Sequence, residues 1–579
     1  MEAYVDIPWA PSGTPVPLAF GPPREIVAAT GLTGVRPALD RVATACAAGG
    51  FAVGYVSYEA APAFDPAMRV RGGSGMPLLW FGIHDAPLPA RRTARPYACS
   101  RWEPGTTSEA YAASITAVRA AIARGDTYQV NHTMRLRARL AGDPLAAFDD
   151  LRRAQGHGWF GYVDTGEHAI ASASPELFFT WDGSDGGVLT TRPMKGTRAR
   201  HTDPAEDDDA RRDLVNSAKD RAENLMIVDL LRNDVARVCE PGSVAVPSLF
   251  EVEDYPTVWQ LTSTVTGRTR PQTTLTHLFD ALFPCGSITG APKVSTMSLI
   301  AEFEDRPRGV YCGAVGIVFP GGAAAFNVAI RTMVIDYDTG IARYDVGGGV
   351  VWDSTGADEY AEALAKARVL EPTQVDVDLY ETARVTDGKT VLEARHLDRM
   401  AASARWFGRP FDRDRAEHLW RSLPNGDLRA RLLLSGAGDL RVESAPRVPP
   451  TPLTAVLAHD PVWSGDPWLR HKSSRREVYA AAQAFAAASG HGEALLWNER
   501  EEITEFTVGN VVVELDGQLV TPPVECGLLP GTLRAELIAL GDVVERVVTL
   551  AELPRCGRVW LVNGVRGWVP ITLVLADVG

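Results

Sequence analysis

Lys195 is the first residue of this chain whose surroundings suggest chemistry. It follows Pro193, which fixes a backbone dihedral angle, and precedes Gly196, which leaves the backbone free. Because lysine is seldom buried without a partner, such a frame can hold one amine in a defined place. The alternative is a solvent-exposed turn lysine, which is the commoner situation for a charged turn residue. Other residues must decide between the two.

A group of charged residues near residue 360 gives the second signal. Glu359, Glu362 and Lys366 are spaced so that they share one face of a predicted helix. Two carboxylates on one face suit Mg²⁺, which prefers one or two carboxylates together with water and a substrate oxygen. The alternative is a solvated helix edge with an ordinary Glu362–Lys366 ion pair.

Two glycine-rich stretches and one arginine add to this set. The stretches 285–290 and 347–349 allow close backbone approach, so their N–H groups could hold carboxylates, or they could be tight turns without a ligand. Arg331 lies in an apolar run that predicts a strand, and an arginine there needs a partner. A substrate carboxylate would be a suitable bidentate one.

Composition limits the classes of function. The 579 residues carry a formal net charge of −14, which argues against a nucleic-acid partner. The seven cysteines are widely spaced and form no C-x-x-C pair, which predicts reduced thiols and no zinc site. No apolar run approaches the ~20 residues that span a membrane. The N-terminus lacks a signal-peptide pattern, so a cytoplasmic location is expected.

The apolar pattern predicts the elements that must position these groups. The charged segment 198–212 predicts a loop leading into a helix through 219–229. The other predicted elements of the first half are strand 51–58, helix 108–125, strands 127–130, 159–163, 169–180, 314–319 and 325–334, and helices 294–303 and 356–370.

The first half resembles the chorismate-utilising enzyme family. The stretches that carry the resemblance are 174–176, 193–197, 220–229, 286–293 and 347–349. The resemblance implies an α+β fold in which antiparallel sheets pack as a sandwich with helices outside. Within the family, anthranilate and salicylate synthases place alanine at the position of Lys195. A lysine there is typical of aminodeoxychorismate synthase component I.

That resemblance implies a reaction and roles for residues. The Lys195 amine would attack C2 of chorismate and displace the C4 hydroxyl, and ammonia would then enter at C4 and expel the lysine. Glu176 would transfer protons. Mg²⁺ would be held by Glu223 and Glu362, with Glu359 acting through water. The residues that would bind substrate are Arg331, at the enolpyruvyl carboxylate, together with Thr289, Gly348, Gly349 and Lys366.

The family often has histidine at the position of Gln260, so the resemblance implies no proton-handling role for this residue.

The same resemblance bears on partners. No G-x-C-x-G nucleophile motif of a fused glutaminase is present. Ammonia would therefore be free or come from a separate glutamine amidotransferase subunit.

The sequence pattern changes after residue 371, where arginine-rich helical segments and alternating strands follow. The predicted domains are an N-terminal region at 1–100, a chorismate-binding catalytic domain at 101–371, a linker at 372–377 and a second module at 378–579. In the second module, Gly531 and Thr532 follow a proline and open a helix, which by geometry is a phosphate cradle or a simple helix cap.

The second module resembles class IV pyridoxal-phosphate enzymes, which include aminodeoxychorismate lyase and branched-chain aminotransferases. The family's opening hairpin is missing before Leu379. The resemblance implies a two-subdomain α/β module, a pyridoxal 5′-phosphate cofactor and a homodimer. Lys472 would form the Schiff base and Glu505 would pair with the pyridinium nitrogen. The phosphate would be held by Arg399, Gly531, Thr532 and Gly564.

Taken together, the two resemblances predict one bifunctional enzyme. The first half would convert chorismate to 4-amino-4-deoxychorismate, and the second would eliminate pyruvate to give 4-aminobenzoate, with Lys472 removing the C4 proton. One alternative is a second module that acts as an amino acid aminotransferase. Another is an inactive module that only docks a glutaminase.

Overall fold

The computed structural model describes residues 2–11, 13, 17–201, 203–256, 258–373 and 377–575. The chain forms two compact units. Unit 1 comprises Met1–Ala94, Trp102–Ala138 and Pro144–Thr373, and unit 2 comprises Arg95–Arg101, Arg139–Asp143 and Gln374–Gly579. The predicted linker at 372–377 falls largely on 374–376, which lie outside the described residues.

Helices and strands alternate irregularly along both units. The helices are α1 (Leu32–Ala47), α2 (Ala61–Phe64), α3 (Ser108–Ala123), α4 (Pro144–Gln155), α5 (Pro204–Asn216), α6 (Ala218–Ala236), α7 (Leu275–Leu282), α8 (Lys293–Phe303), α9 (Gly356–Lys366), α10 (Glu393–Phe407), α11 (Arg413–Arg421), α12 (Glu477–Ala488) and α13 (Thr532–Leu540). The strands are β1 (Ala3–Asp6), β2 (Leu18–Phe20), β3 (Glu25–Ala29), β4 (Phe51–Val56), β5 (Leu79–His84), β6 (Tyr97–Cys99), β7 (Glu103–Pro104), β8 (Gln129–Gly142), β9 (Trp159–Asp164), β10 (His168–Ser174), β11 (Leu177–Trp181), β12 (Val188–Arg192), β13 (Met194–Ala199), β14 (Ala245–Asp254), β15 (Val258–Arg268), β16 (Gly290–Ala291), β17 (Ala314–Val318), β18 (Ala324–Val328), β19 (Thr332–Asp336), β20 (Ile341–Val350), β21 (Leu379–Thr386), β22 (Lys389–Thr390), β23 (Asp427–Leu434), β24 (Leu440–Pro446), β25 (Leu453–Leu457), β26 (Glu493–Trp497), β27 (Ile503–Phe506), β28 (Gly509–Leu515), β29 (Gln518–Thr521), β30 (Val544–Glu545), β31 (Val559–Asn563) and β32 (Gly567–Val574).

Unit 1 is built on two large sheets. The first has the strand order β16-β8-β20-β19-β10-β9-β1-β2, and the second has the order β13-β15-β12-β11-β18-β17-β4-β5-β3, with β14 also paired to β15. Apolar side chains of both sheets, among them Val163 and Ile170 from the first and Val53 and Ile317 from the second, form one buried cluster. The predicted sandwich of antiparallel sheets is confirmed.

Helices cover the other face of the second sheet. The ring of Phe279 in α7 lies 5.3 Å from that of Phe326 in β18 and 5.7 Å from that of Phe179 in β11, measured between centroids. This cluster also contains apolar residues of α1, α6 and α8. Aromatic side chains of this size bury large apolar areas, so the cluster is a main source of stability for the unit.

The chain crosses between the two sheets at two adjacent places. The predicted strand 169–180 is in fact β10 in the first sheet and β11 in the second, and the predicted strand 325–334 is in fact β18 and β19. The crossings are hydrogen-bonded to each other, because Val328 N donates to Glu176 O at 3.1 Å and Ala173 N donates to Arg331 O at 3.0 Å. A continuous apolar run does not reveal such a change of sheet, since both halves are buried.

Three other sequence predictions were wrong in detail. The charged segment 198–212 is not all loop, because α5 begins at Pro204, where Asp203 caps the helix by accepting from Ala205 N at 2.9 Å. The stretch 347–349 is not a turn but lies within β20. The helix predicted to reach residue 370 ends as α9 at Lys366 and continues as a 3₁₀ helix.

Unit 2 contains two sheets with helices packed on them. The antiparallel sheet β22-β21-β23-β24 packs with α10 and α11, and the mixed sheet β27-β26-β25-β32-β31-β28-β29-β30 packs with α12 and α13. This arrangement confirms the predicted two-subdomain α/β module. No helix in the described ranges combines the length and apolar character that crossing a membrane requires.

We expect Phe279→Ala to destabilise unit 1 by about 3–5 kcal/mol, because the ring is fully buried among other aromatic rings and its loss leaves a cavity. Urea unfolding followed by tryptophan fluorescence measures the change. The control is Leu249→Ala, which removes a side chain from a residue that is 44% exposed and should cost less than about 1 kcal/mol. Equal losses for both variants would contradict the assignment of the core.

Candidate active sites

Glu176 lies at the first sheet crossing, between β10 and β11. The carboxyl group is buried, and its Oε1 accepts a hydrogen bond from Ser287 Oγ at 2.6 Å. Burial raises the pKa of Glu176 to about 7, although the Ser287 hydroxyl and the Lys195 ammonium favour ionisation. A carboxyl group with this pKa can take up or release a proton near neutral pH.

Lys195 lies in β13, and the cavity that it lines also contains Glu176. The cavity has a volume of about 540 Å³. The pairing of β13 with β15 is irregular between Met194 and Thr197, and Gly196 adopts a φ of +92° there. A side chain at Gly196 would also crowd Asp220, so glycine is required on both counts. The frame inferred from the sequence therefore holds a strand lysine in a cavity wall.

The amine of Lys195 has a lowered pKa. Burial is the main cause, and the positive charge of Lys366 adds to it. The carboxylates of Glu223, Glu176 and Glu362 oppose the shift through space. The neutral amine, which is the nucleophilic form, is therefore more accessible here than for a lysine in water.

Three carboxylates line the same cavity, Glu223 from α6 and Glu359 and Glu362 from α9. Glu362 Oε1 accepts from Lys366 Nζ at 2.8 Å, and Glu359 Oε1 accepts from Ser354 Oγ at 2.6 Å. Burial raises the pKa of both Glu223 and Glu359. Burial opposes ionisation of Glu362 as well, but the Lys366 ammonium lowers its pKa.

These carboxylates fit an open metal site better than a closed one. Among the described residues, no three histidine, cysteine, aspartate or glutamate side chains lie close enough to hold a metal ion by themselves. A Cβ on Gly348 would lie 3.0 Å from Glu359 Oε2 and 3.4 Å from Glu362 Oε1, so these two converge over a bare backbone position. Mg²⁺ accepts such a pair when water and substrate oxygens complete its coordination.

The remaining predicted substrate residues are placed unevenly. Arg331 lines the cavity at the second sheet crossing with a φ of +49°, and it donates to the side chain of Gln155. Burial lowers its pKa, so an anion at this point would be favourable. Thr289 is fully buried, and its hydroxyl donates to the carbonyls of Cys285 and Gly286 within the turn. The structure therefore brings Arg331 to the cavity but not the hydroxyl of Thr289.

Gln129 is a site residue that the sequence did not reveal. It is 2% exposed, and within the described part of the chain neither of its amide atoms has a hydrogen-bond partner. A Cβ on Gly349 would overlap its Nε2 and would lie 3.0 Å from Lys195 Nζ, so amide and amine face the same space. A glutamine within a predicted strand was the available signal, because a buried amide needs a partner.

Lys472 lines a second cavity, of about 400 Å³, that lies within unit 2. Its amine lies 5.1 Å from the centre of the Tyr380 ring. The pKa of Lys472 is lowered to about 8, mainly by burial and also by the positive charge of Arg399, while the carboxylate of Glu381 opposes the shift. A lysine with this pKa can act both as a nucleophile and as a base near neutral pH.

Glu505 lies on β27 in the wall of the same cavity. Oε1 accepts from Tyr479 Oη at 2.8 Å and from Leu529 N at 3.0 Å, and Oε2 accepts from Asn510 Nδ2 at 3.3 Å. Burial raises the pKa of Glu505 to about 7, although these hydrogen bonds and the Lys472 ammonium oppose the rise. Tyr479 lies on α12 and was not predicted from the sequence.

The predicted phosphate-binding residues meet at another wall of this cavity. Thr532 is the first residue of α13, where backbone N–H groups and the helix dipole favour an anion. A side chain at Gly531 would overlap Asn510, and a Cβ on Gly564 would lie 3.1 Å from Thr532 Oγ1. Arg399 reaches this wall and donates to Pro530 O at 2.9 Å. These backbone positions without side chains fit a phosphate group.

Both parts of the chain match known protein families. Residues 84–372 match the model of the chorismate binding enzyme family. Over 289 residues, 50% of this chain and 62% of the relative, the chain is 42% identical to aminodeoxychorismate synthase component 1 of Klebsiella aerogenes. Over 298 residues, 50% of this chain and 57% of the relative, it is 38% identical to anthranilate synthase component 1 of Streptomyces coelicolor. The chain thus spans less than two thirds of these relatives.

A solved structure supports the fold of unit 1. Anthranilate synthase component I from Streptococcus pneumoniae superimposes with a TM-score of 0.51 at 25% identity, covering 64% of this chain and 89% of that chain. Residues 378–574 match the model of amino-transferase class IV, a family whose cofactor is pyridoxal 5′-phosphate. Residues 84–372 are therefore a chorismate-binding enzyme domain, and residues 378–574 are a class IV aminotransferase domain on the same chain.

Proposed function

We propose that this chain makes 4-aminobenzoate in two steps, amination of chorismate in unit 1 and elimination of pyruvate in unit 2. The observation that carries the proposal is the amine of the half-buried Lys195, which shares its cavity with the proton-holding carboxyl group of Glu176. The relatives of unit 1 include both aminodeoxychorismate and anthranilate synthases. A nucleophilic lysine favours the first of these activities.

The first cavity binds chorismate through its two carboxylates. Arg331, which has a lowered pKa from burial, binds the enolpyruvyl carboxylate as a bidentate partner. The ring carboxylate lies near Gly348 and Lys366, where the backbone leaves room for it. Glu223 and Glu362, with Glu359 beside them, would hold Mg²⁺, and that ion would supply the positive charge that neutralises this carboxylate.

Lys195 and Glu176 then carry the substitution. The neutral amine attacks C2, the ring double bonds shift, and the C4 hydroxyl leaves as water with a proton from Glu176. The carboxylate regains a proton from the new C2 ammonium group. Ammonia attacks C4, the double bonds shift back, and the lysine nitrogen leaves C2 and takes a proton from Glu176. The new C4 ammonium group then returns a proton to the Glu176 carboxylate. The difficult replacement of hydroxyl by amine is thereby divided into two easier steps.

Ammonia comes from a separate glutamine amidotransferase in this proposal. The names of the unit 1 relatives describe them as component 1 of a synthase, which supports a second component. Ammonia is neutral and small, and the amide of Gln129 faces the same space beside Gly349 as the Lys195 amine. This amide can orient an incoming nitrogen without ionising.

In unit 2, Lys472 is the base of the second step. It removes the C4 proton of 4-amino-4-deoxychorismate, the bond between ring C3 and the ether oxygen breaks, and the ring becomes aromatic. The enolpyruvate that leaves takes up a proton and becomes pyruvate. Pyridoxal 5′-phosphate, when bound, supplies the electron sink for this elimination. Glu505, whose Oε1 accepts from Tyr479 Oη and Leu529 N, would pair with the cofactor nitrogen, and Arg399 and Thr532 would hold its phosphate.

Two lysine variants separate the two steps. With chorismate, ammonium, Mg²⁺ and pyridoxal 5′-phosphate, we expect Lys195→Ala to reduce formation of 4-amino-4-deoxychorismate by at least about 100-fold, because the nucleophile is lost. Lys472→Ala should leave that step intact and let 4-amino-4-deoxychorismate accumulate. Liquid chromatography with mass detection measures both products.

Lys389→Ala is the control for Lys195→Ala, because this exposed lysine of β22 does not line the cavity and should leave both steps unchanged. Anthranilate or salicylate as the product of the wild-type chain would contradict the proposal for unit 1. For unit 2, the control is the addition of amino acids to the chain loaded with pyridoxal 5′-phosphate. A change in the absorbance of the cofactor without release of pyruvate would indicate an aminotransferase instead.

A second prediction concerns pH. The Ser287 hydroxyl stabilises the ionised form of Glu176, so Ser287→Ala should raise the pKa of Glu176 above its value of about 7. The limb of the pH–rate profile that titrates with Glu176 should move to higher pH. Steady-state amination rates between pH 5 and 9 measure it. Ser298→Ala, which alters an exposed hydroxyl bonded to Val294 O, should leave the profile in place.

A further inference from the structure

Three charged or titratable residues of unit 2, Glu381, His396 and Arg399, form a cluster beside the predicted phosphate-binding residues Gly531, Thr532 and Gly564. Glu381 of β21 and His396 of α10 are each 1% exposed. Glu381 Oε2 lies 2.7 Å from His396 Nδ1, and the same carboxylate accepts from Arg399 Nε at 2.8 Å and Nη2 at 2.6 Å. Burial opposes ionisation of Glu381, but Arg399 and His396 hold its pKa at about 2. The carboxylate is therefore a fixed negative charge.

The other nitrogen of His396 faces the predicted phosphate cradle. His396 Nε2 lies 3.3 Å from Thr532 Oγ1, at the start of α13. A Cβ on Gly564 would lie 3.0 Å from His396 Nε2 and 3.1 Å from Thr532 Oγ1. All three residues line the cavity that contains Lys472. The imidazole, the hydroxyl and a bare backbone position thus converge on one small volume.

We propose that His396 binds the cofactor phosphate directly through Nε2 and carries protons on both nitrogens when the phosphate is bound. In this arrangement Glu381 is a positioning residue, which orients both His396 and Arg399. The inference rests on the proposed function of residues 378–574 as a pyridoxal-phosphate module, and it adds two residues to the cradle.

The hydrogen bonds determine when the proton is needed. A neutral His396 that donates Nδ1–H to Glu381 can only accept at Nε2, and Thr532 Oγ1 is positioned to donate to it. A phosphate group offers only acceptors at this distance, so binding it at Nε2 requires a second proton on the ring. Phosphate binding and protonation of His396 are therefore coupled.

The charges around the ring are compatible with this coupling. Glu381 faces it from β21, and Arg399 lies on its own helix and shares the Glu381 carboxylate. The Arg395–Glu536 pair joins α10 to α13. The ring of Trp420 lies at 6.0 Å from the imidazole, edge to face, and carries no charge. With His396 protonated, the imidazolium and the guanidinium carry two positive charges against the one negative charge of Glu381, so the cluster offers a net positive charge to a phosphate group.

The test compares pyridoxal 5′-phosphate with pyridoxal, which lacks the phosphate, on the full chain. His396→Asn keeps a polar group near Glu381 and removes Nε2. We expect its affinity for pyridoxal 5′-phosphate to fall by about 10- to 100-fold, with the affinity for pyridoxal unchanged within about threefold. Equilibrium dialysis with absorbance detection measures both. His418→Asn, at an exposed position of α11, should change neither.

A second measurement uses the wild-type chain and so does not depend on folding of the variant. Calorimetric titration at pH 8 in two buffers of different ionisation enthalpy should show uptake of up to one proton with pyridoxal 5′-phosphate and less with pyridoxal. Equal weakening of both ligands in His396→Asn, or no difference in proton uptake, would overturn the role of His396. Failure of the wild-type chain to bind either ligand would instead count against the proposed cofactor of unit 2.

Discussion

The cost of burying an amine is the constraint on which both sites depend. Lys195 and Lys472 are half-buried in cavity walls, and for both the largest influence on the pKa is the loss of solvation. The nearby carboxylates act through space and lower this cost without pairing the amine permanently. A tight ion pair would stabilise the ammonium and suppress the nucleophile, whereas an unassisted burial would be hard to fold. Both cavities hold their lysine between these limits, and much of the surrounding structure serves that balance.

Residue type and spacing predicted the parts of the site that lie on one element. Glu359, Glu362 and Lys366 share a helix face, and Lys195 lies between a proline and a glycine, so local rules were sufficient for them. The sandwich followed from the family resemblance and is confirmed. The points near Glu176 and Arg331 where the chain passes from one sheet to the other were not predicted. An apolar run has the same sequence pattern whether it stays in one sheet or continues into another.

The site residues that were not predicted from the sequence share one property: tertiary packing alone brings them next to the reactive groups. Gln129 and Ser287 face Lys195 and Glu176 only because β8 and the turn before α8 come together in the fold. Tyr479 reaches Glu505 in the same way. A polar residue inside an apolar element costs free energy when it is unpaired, so the sequence indicates that each of these residues needs a partner. Only the fold shows which partner it has.

The paired sheet crossings have a consequence for how this domain tolerates change. Because side chains alternate between the faces of a strand, one residue gained or lost in β10, β11, β18 or β19 would turn the following side chains to the opposite face. The backbone bonds that join Ala173 to Arg331 and Glu176 to Val328 would lose their register at the same time. Substitutions along these strands can therefore drift within apolar types, while the number of residues within each strand is fixed by the register. In these four strands, length is under stricter control than side-chain identity.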